Sequence, residues 1–137
     1  YDSKKAGAVT ISHLRFGQIQ AVQSGIPVYA GFSGAELRTF SLRDAEGRQV
    51  IDGPQGVAEG TPSGPGRLPW DLSRDVDAVT TDLAGNHLWF QPDLGEPEEG
   101  TGLPVPLEKV RTLTFHKENH RATIFIYPDT GFVRLEK

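Results

Sequence analysis

Residues 3–32 read SKKAGAVTISHLRFGQIQAVQSGIPVYAGF, and this stretch predicts a long helix that ends sharply before a strand. The side-chain oxygen of Asp2 or Ser3 can accept a hydrogen bond from a free amide of the first helical turn. Gly25 suits the left-handed position that follows a helix, and Pro27 cannot continue one. The predicted apolar face consists of Ala8, Ile11, Leu14, Ile19, Ala21 and Val22. We therefore expect one helix, followed by a strand at 28–32, against which the rest of the chain packs.

The composition is that of one ordinary globular domain. The 137 residues are 36% hydrophobic and 23% charged, so the chain can bury a real core. The net charge of −4 gives no general attraction to nucleic acid or to membranes. Cysteine is absent, which excludes disulfides, a thiol nucleophile and thiolate metal sites. We predict a single domain over residues 1–137, with a helical spine at 1–25 and a β-rich part at 26–137.

The chain begins at Tyr1 and contains no methionine. Because a translation product starts with methionine, we expect that an N-terminal targeting or anchoring segment has been removed. No apolar run in the sequence approaches the roughly 18 to 20 residues that a membrane span requires.

After the first strand, the pattern predicts two strand pairs separated by long loops. Residues 36–42 alternate and, with a return strand at 48–51, predict a hairpin around the turn at 44–47. Residues 76–81 and 87–91 predict a second pair of strands. The stretches 53–69 and 92–106 are rich in glycine and proline and predict loops, with Trp70 expected to pin the first loop to the body.

The end of the chain predicts three strands, at 110–115, 121–127 and 132–135. They are separated by the turns KEN (117–119) and PDTG (128–131). The middle strand, RATIFIY, is apolar at both alternating sets of positions, so we expect it to be central and covered on both faces.

Two short motifs resemble catalytic signatures, but a turn explains each better. His116, Glu118 and His120 form HKENH, yet the zinc motif HExxH requires a helix and a glutamate in another place. Asp129 begins a single DTG, whereas aspartic proteases need two such aspartates that share a proton. We expect an exposed hairpin tip for the first, where adventitious zinc or nickel remains open, and a type I turn for the second.

No other pattern nominates a catalytic or cofactor site. There is no phosphate-binding glycine motif, no GxSxG and no spacing that suggests a catalytic triad. Glu96, Glu98 and Glu99 lack the alternating ligands of a calcium loop, so a solvated acidic loop is expected. We predict a protein that is not an enzyme and binds no cofactor or metal. The basic residues Lys4, Lys5 and Arg15 suit either a solvated helix face or anionic lipid headgroups.

Four segments together resemble the GspH/FimT class of type IV pilin-like proteins, the minor pseudopilins and minor pilins. The leading helix and strand, LRFGQIQAVQSGIPVYAGF, resemble the family's helix and its small-residue step into a first strand. ELRTFSLRDAEGRQV resembles its first hairpin, and LWFQPDLGEPEEGTG its aromatic, Pro-Asp-Gly and Gly-Thr segment. RATIFIYPDTGFVRL is similar to the terminal strand, Thr-Gly and hydrophobic-Arg signature. The family's prepilin leader and apolar half-helix have no counterpart in these residues.

This resemblance implies an α+β, pilin-like fold, in which one long N-terminal helix packs against antiparallel sheets in a two-sheet, sandwich-like domain. It also implies assembly without catalysis, in a type II secretion pseudopilus or at a type IV pilus tip. The expected partners are other pseudopilins or pilins through the helix, and exported protein cargo. The expected location is the inner membrane, through a missing N-terminal segment, with the globular domain in the periplasm.

Two alternatives remain open at this point. A DNA-uptake minor pilin would need a basic patch, for which the candidates are Lys109, Arg111, Lys117, Arg121, Arg134 and Lys137. A secreted β-sandwich that binds a small ligand or carbohydrate would use Trp70, Trp89 and Phe90 as a stacking surface. Core packing or loop anchoring explains these aromatic residues better.

Overall fold

The computed structural model describes residues 2–47 and 68–136. The predicted return strand at 48–51, most of the predicted loop at 53–69 and Lys137 lie outside the described residues. Within the described ranges, the chain forms one long helix, α1, and ten strands. The strands are β1 (Val28–Ser33), β2 (Thr39–Asp44), β3 (Trp70–Asp71), β4 (Ala78–Thr81), β5 (His87–Phe90), β6 (Pro97–Glu99), β7 (Val105–Pro106), β8 (Arg111–Lys117), β9 (His120–Ile126) and β10 (Val133–Leu135).

The helix α1 spans Asp2–Ser24 and ends as the sequence predicts. Gly25 has a φ of 73°, and its amide donates to the carbonyl of Ala21 at 3.0 Å, which closes the last turn. Pro27 then leads directly into β1. In the part of the chain that the structure describes, no helix is long and apolar enough to cross a membrane.

The predicted apolar face of α1 is wrong in part. Ile11, Leu14 and Ala21 are buried, but Ala8, Ile19 and Val22 are exposed. Small and polar residues fill the buried face instead, at positions three and four apart: Ser3, Ala6, Gly7, Thr10, His13 and Gly17. They allow the helix to approach both sheets closely. A Cβ at Gly7 would lie 2.9 Å from Leu135 of β10, and one at Gly17 would lie 2.9 Å from Leu42 of β2.

The first sheet has six strands in the order β3-β2-β1-β5-β6-β7. β1 is central and pairs antiparallel with β2 on one side and with β5 on the other. β1 and β2 form a hairpin, and a short 3-10 helix at Ala35–Leu37 lies between them, where the sequence predicts the start of a strand at 36–42. Trp70 lies in β3 beside Phe40 and is buried, in agreement with its predicted anchoring role.

Two predictions about the middle of the chain are wrong. β4 and β5 do not pair with each other, because β4 joins the second sheet and β5 joins the first. Residues 82–86 therefore cross between the sheets. The stretch 92–106 is also more than a loop, since β6 and β7 lie within it. β6 begins with Pro97 and β7 ends with Pro106. Both strands lie toward the edge of the sheet, where the missing backbone amide hydrogen of a proline costs least.

The second sheet has four strands in the order β10-β9-β8-β4, and the three predicted C-terminal strands are confirmed. β9 lies between β8 and β10, but only one of its faces is fully buried. Ala122, Ile124 and Ile126 face the core, whereas Thr123 and Phe125 are half-buried on the other side. The expectation that β9 is covered on both faces is therefore wrong.

The hydrophobic core lies between α1 and the inward faces of the two sheets. It joins Leu14 of the helix to aromatic residues of both sheets, with Phe32 5.0 Å from Phe40 and 6.1 Å from Phe115 between ring centroids. His13 lies within this aromatic group, 5.6 Å from Phe40 and 6.3 Å from Trp70. The core thus spans the helix and both sheets.

Candidate interaction surfaces

The outward flank of α1 carries branched apolar side chains in solvent. Ile19 is 54% exposed and Val22 is 45% exposed, although the same helix buries glycine and threonine on its inner side. A single exposed apolar residue is common, but two at a spacing of three residues form a continuous strip on a helix.

Gln18 marks the border between the buried face and this flank. Its side-chain amide donates to the carbonyls of Gly95 and Thr130, each at 2.9 Å, so one side chain ties two loops to the helix. Both loops pass so close to Gln18 that glycine is needed at the contact points. A Cβ at Gly95 would lie 2.7 Å from the Gln18 side chain, and one at Gly131 would lie 2.9 Å from it.

The two loops also carry exposed apolar residues. Leu94 precedes Gly95 and is 83% exposed, and Phe132 follows Gly131 and is 53% exposed. Phe132 lies against Tyr127, 6.0 Å away between ring centroids, on the outer side of the second sheet. We call the strip of Ile19 and Val22 on α1 the helix-flank patch. Arg15 borders the patch and donates to the carbonyl of Val133 at 3.4 Å.

The proposed basic residues are not brought together on one surface. Arg111 lies at the junction of the two sheets, where its guanidinium donates to Oε2 of Glu99 at 2.8 and 3.1 Å and lies 4.0 Å from Asp82. Glu99 is buried and also accepts from the amide of Ala84 at 2.8 Å. The hydrogen bonds to Glu99 raise the pKa of Arg111 above its ordinary value. This ion pair is structural.

The other basic candidates have separate positions. Lys117 lies 3.8 Å from Asp77, and Lys109 is exposed before β8. Arg121 and Arg134 are exposed on the outer face of the second sheet, where they alternate with buried residues of their strands. Arg134 lies 4.7 Å above the ring of Phe125, and its Nε donates to the hydroxyl of Tyr127 at 2.7 Å.

DNA binding therefore stays a prediction. The candidate residues that share one exposed face in the described part of the chain are Arg121 and Arg134. A loss of binding with rising salt, and with Arg121→Ala and Arg134→Ala, would support it. Lys4 and Lys5 are exposed at the start of α1. Their contact with anionic lipid headgroups also stays a prediction.

The two turn motifs lie where the sequence predicts turns. HKENH forms the tip of the β8–β9 hairpin, in which His116 Nε2 lies 3.0 Å from the hydroxyl of Thr80 and the Glu118 amide donates to Asp77 at 2.7 Å. The DTG motif lies in the next turn, but Asp129 has a φ of 70°, which excludes the expected type I geometry.

The acidic residues of the second loop do not converge. Glu96 accepts from the amide of Leu94 at 2.7 Å, Glu98 accepts from Gln91 at 2.8 Å, and Glu99 binds Arg111. Hydrogen bonds from its own backbone amide and from that of Leu94 lower the pKa of Glu96. Across residues 2–47 and 68–136, no group of three histidine or acidic side chains is placed to hold a metal ion.

The predicted stacking surface of Trp70, Trp89 and Phe90 is not assembled. Trp70 and Phe90 are buried in the core, and only Trp89 is half-exposed, on the outer face of the first sheet. Trp89 instead lies beside Tyr29 and His87, a group that sequence reasoning missed. The signal available was weak, because these residues come from strands about 60 positions apart in the chain.

The comparisons with known proteins identify the fold. No family model and no curated protein matches the sequence. Two crystal forms of the type IV minor pilin FimU from Pseudomonas aeruginosa are similar in structure, with TM-scores of 0.56 and 0.53 and sequence identities of 15% and 14%. The alignments cover 97% of this chain and 87% and 92% of the FimU chains. The chain therefore has the predicted α+β, type IV pilin-like fold, with one long helix packed on antiparallel sheets.

Proposed function

We propose that this chain is the globular domain of a minor pilin or minor pseudopilin that assembles into a filament through the outward flank of α1. The observation that carries the proposal is the helix-flank patch, in which Ile19 and Val22 stand in solvent on one flank of the helix. The pilin-like fold supports it, because the chain is similar in structure to FimU, a type IV minor pilin. The GspH/FimT class remains our preferred subgroup.

The patch has the chemistry of a helix-packing surface. Branched apolar side chains on one flank of a helix gain free energy when a neighbouring helix or sheet removes them from water. Gln18 ties the loops at Gly95 and Thr130 to the same helix, next to the strip. The surface that a neighbouring subunit would contact is therefore held in place before assembly.

The remaining parts of the proposal follow from this role. The subunit would be anchored in the inner membrane by a segment that precedes α1, with the globular domain in the periplasm, before it enters the filament. Its work is differential binding to neighbouring pilins or to exported cargo, which requires no catalytic group and no cofactor. A type II secretion pseudopilus and a type IV pilus tip both fit these surfaces.

Single-cysteine crosslinking in the native cells tests the proposal. The chain has no cysteine of its own, so Ile19→Cys and Val22→Cys each introduce one reactive thiol. We expect a short bifunctional reagent to join these variants to other pilin subunits. Asn119→Cys, at the exposed tip of the β8–β9 hairpin, is the matched control and is expected to give fewer crosslinked pairs.

The proposal fails if the filament forms while the thiols at 19 and 22 remain unlinked. It also fails if the control at 119 crosslinks as strongly, since the helix flank would then have no special part in assembly.

A further inference from the structure

A groove of about 270 Å³ lies on the outer face of the first sheet, on the side away from the core. Its floor is aromatic, and its rim consists of small and hydroxyl residues. We call it the aromatic groove, and its lining residues are Tyr29, Ala45, Gly47, His87, Trp89, Thr101 and Gly102. We propose that this groove binds a neutral sugar ring.

The pairing of β1 with β5 builds the floor. Tyr29 and Trp89 are direct partners across the two strands, and their ring centroids are 4.5 Å apart with an angle of 34° between the planes. His87 lies two residues before Trp89 on the same face, 5.1 Å from Tyr29. Gly31, the partner of His87, makes room for this ring, because a Cβ there would lie 3.0 Å from it.

The walls of the groove are held by hydrogen bonds and close packing. The indole Nε1 of Trp89 donates to the carbonyl of Gly100 at 2.7 Å, which fixes the ring and the loop that carries Thr101. Gly85 packs against that loop, since a Cβ on it would lie 2.9 Å from the Thr101 side chain. On the opposite wall, the carbonyl of Gly47 accepts from Arg43 at 2.9 Å. The groove therefore exists before a ligand arrives.

The chemistry of the lining selects the class of ligand. Among the described residues that line the groove there is no carboxylate, lysine or arginine. The nearest charged groups, Arg43 and Glu98, are the strand partners of Tyr29 and Trp89, and they already bind the carbonyl of Gly47 and the side chain of Gln91. Because Tyr29 packs against both His87 and Trp89, the ring face proposed to attract the weakly positive C–H groups of a pyranose ring is that of Trp89, which carries negative partial charge. The hydroxyls of Tyr29 and Thr101 are suited to the polar edge of the same ring.

The size of the groove favours one sugar unit over a larger ligand. Small-molecule sites commonly enclose about 300 to 1,000 Å³, and this groove is just below that range and open to solvent. We therefore expect a terminal monosaccharide, bound with a Kd on the order of 1 to 10 mM, because so few atoms make contact.

Saturation-transfer NMR on the isolated chain tests the proposal. The probes are the methyl glycosides of glucose, galactose, mannose and N-acetylglucosamine, with sialic acid as the charged comparison. We expect transfer to the C–H protons of at least one neutral sugar, and a loss of affinity of at least about tenfold in Trp89→Ala. Phe132→Ala removes an exposed aromatic ring outside the groove and is the matched control, with no expected change.

A second variant keeps all three aromatic rings in place. Ala45 is exposed at the rim, so Ala45→Phe fills the groove and is expected to abolish binding, whereas Ala45→Ser leaves it intact. The proposal is overturned if no neutral sugar shows transfer, if only sialic acid does, or if Ala45→Phe binds as well as the parent chain. Because the measurement uses the isolated chain, its outcome is separate from that of the filament crosslinking.

Discussion

The two sides of α1 differ in the size of the side chains that they carry. The inner side buries Gly7, Gly17 and Thr10, and the outer flank exposes Ile19 and Val22. Small inner residues bring the helix axis close to both sheets, and Leu14 supplies much of the apolar contact. The outer flank contributes little to the stability of the isolated chain and is available to a partner. Burial and the proposed assembly are thus assigned to different residues of one helix.

The sharpest test of this difference compares two truncations on the same helix. Leu14 is only 1% exposed, so Leu14→Ala is expected to lower the free energy of unfolding by about 2 to 5 kcal/mol through lost burial and a cavity. Ile19→Ala is expected to change it by less than about 0.5 kcal/mol. Urea denaturation of both variants measures the two values. Equal losses would show that Ile19 is part of the core.

The border between the two sides is expected to give the next largest effect. Gln18→Ala removes hydrogen bonds to both Gly95 and Thr130, and should cost about 1 to 2 kcal/mol at roughly 1 kcal/mol for each bond. Gln23→Ala, on the exposed last turn, is the control and should have little effect. If the two variants unfold at the same urea concentration, Gln18 does not hold the loops.

The hydroxyl of Thr10 tests the polar part of the inner side. Thr10 is fully buried, and its Oγ1 has no hydrogen-bond partner among the described residues. Thr10→Val keeps the branched shape and removes the cost of a buried unpaired hydroxyl, so we expect a gain of about 1 kcal/mol. Thermal unfolding measures the change, and Thr10→Ser, which retains the hydroxyl, should not reproduce the gain. A lower melting temperature in Thr10→Val would contradict this account.

The two inner glycines are expected to respond in opposite directions and by the smallest amounts. A Cβ at Gly17 would meet Leu42, which is fully buried and cannot move away, so Gly17→Ala should destabilise the chain by about 1 kcal/mol. A Cβ at Gly7 would meet the end of the half-buried Leu135 side chain, which can rotate. Gly7→Ala should then gain about 0.5 kcal/mol from helix propensity. Urea denaturation of both variants measures the two changes in the free energy of unfolding. A gain in stability in both variants would show that the helix is not close-packed at Gly17.

Local signals in the sequence were sufficient for the elements that local chemistry determines. The end of α1 depends on Gly25 and Pro27, which are two positions apart in sequence, and the β8–β9–β10 meander depends on short turns. The predicted apolar face of the helix was wrong in part, because hydrophobicity alone selects Ile19 and Val22. The packing against both sheets selects glycine instead, for its small size. The two criteria conflict at the same helix.

Pairing between distant strands was beyond the reach of the sequence pattern. The alternation in β4 and β5 indicates two strands but does not specify their partners, and the crossing at 82–86 places them in different sheets. The aromatic groove depends on the same long-range pairing, because Tyr29 meets Trp89 only when β5 joins β1. The position of Arg111, one of the candidates for the predicted basic patch, depends on a long-range contact of the same kind, because Glu99 draws it into the junction of the two sheets.

The short link between α1 and β1 has a mechanical consequence. Only Gly25, Ile26 and Pro27 separate the last helical residue from Val28, so a pull along the helix axis reaches the sheet at the start of its central strand. β1 is paired along both edges, with six register partners in β2 and four in β5. Tension therefore loads two ladders of hydrogen bonds together and cannot peel away an edge strand first. In the proposed filament, this arrangement would let the domain carry a load along the helix without coming apart.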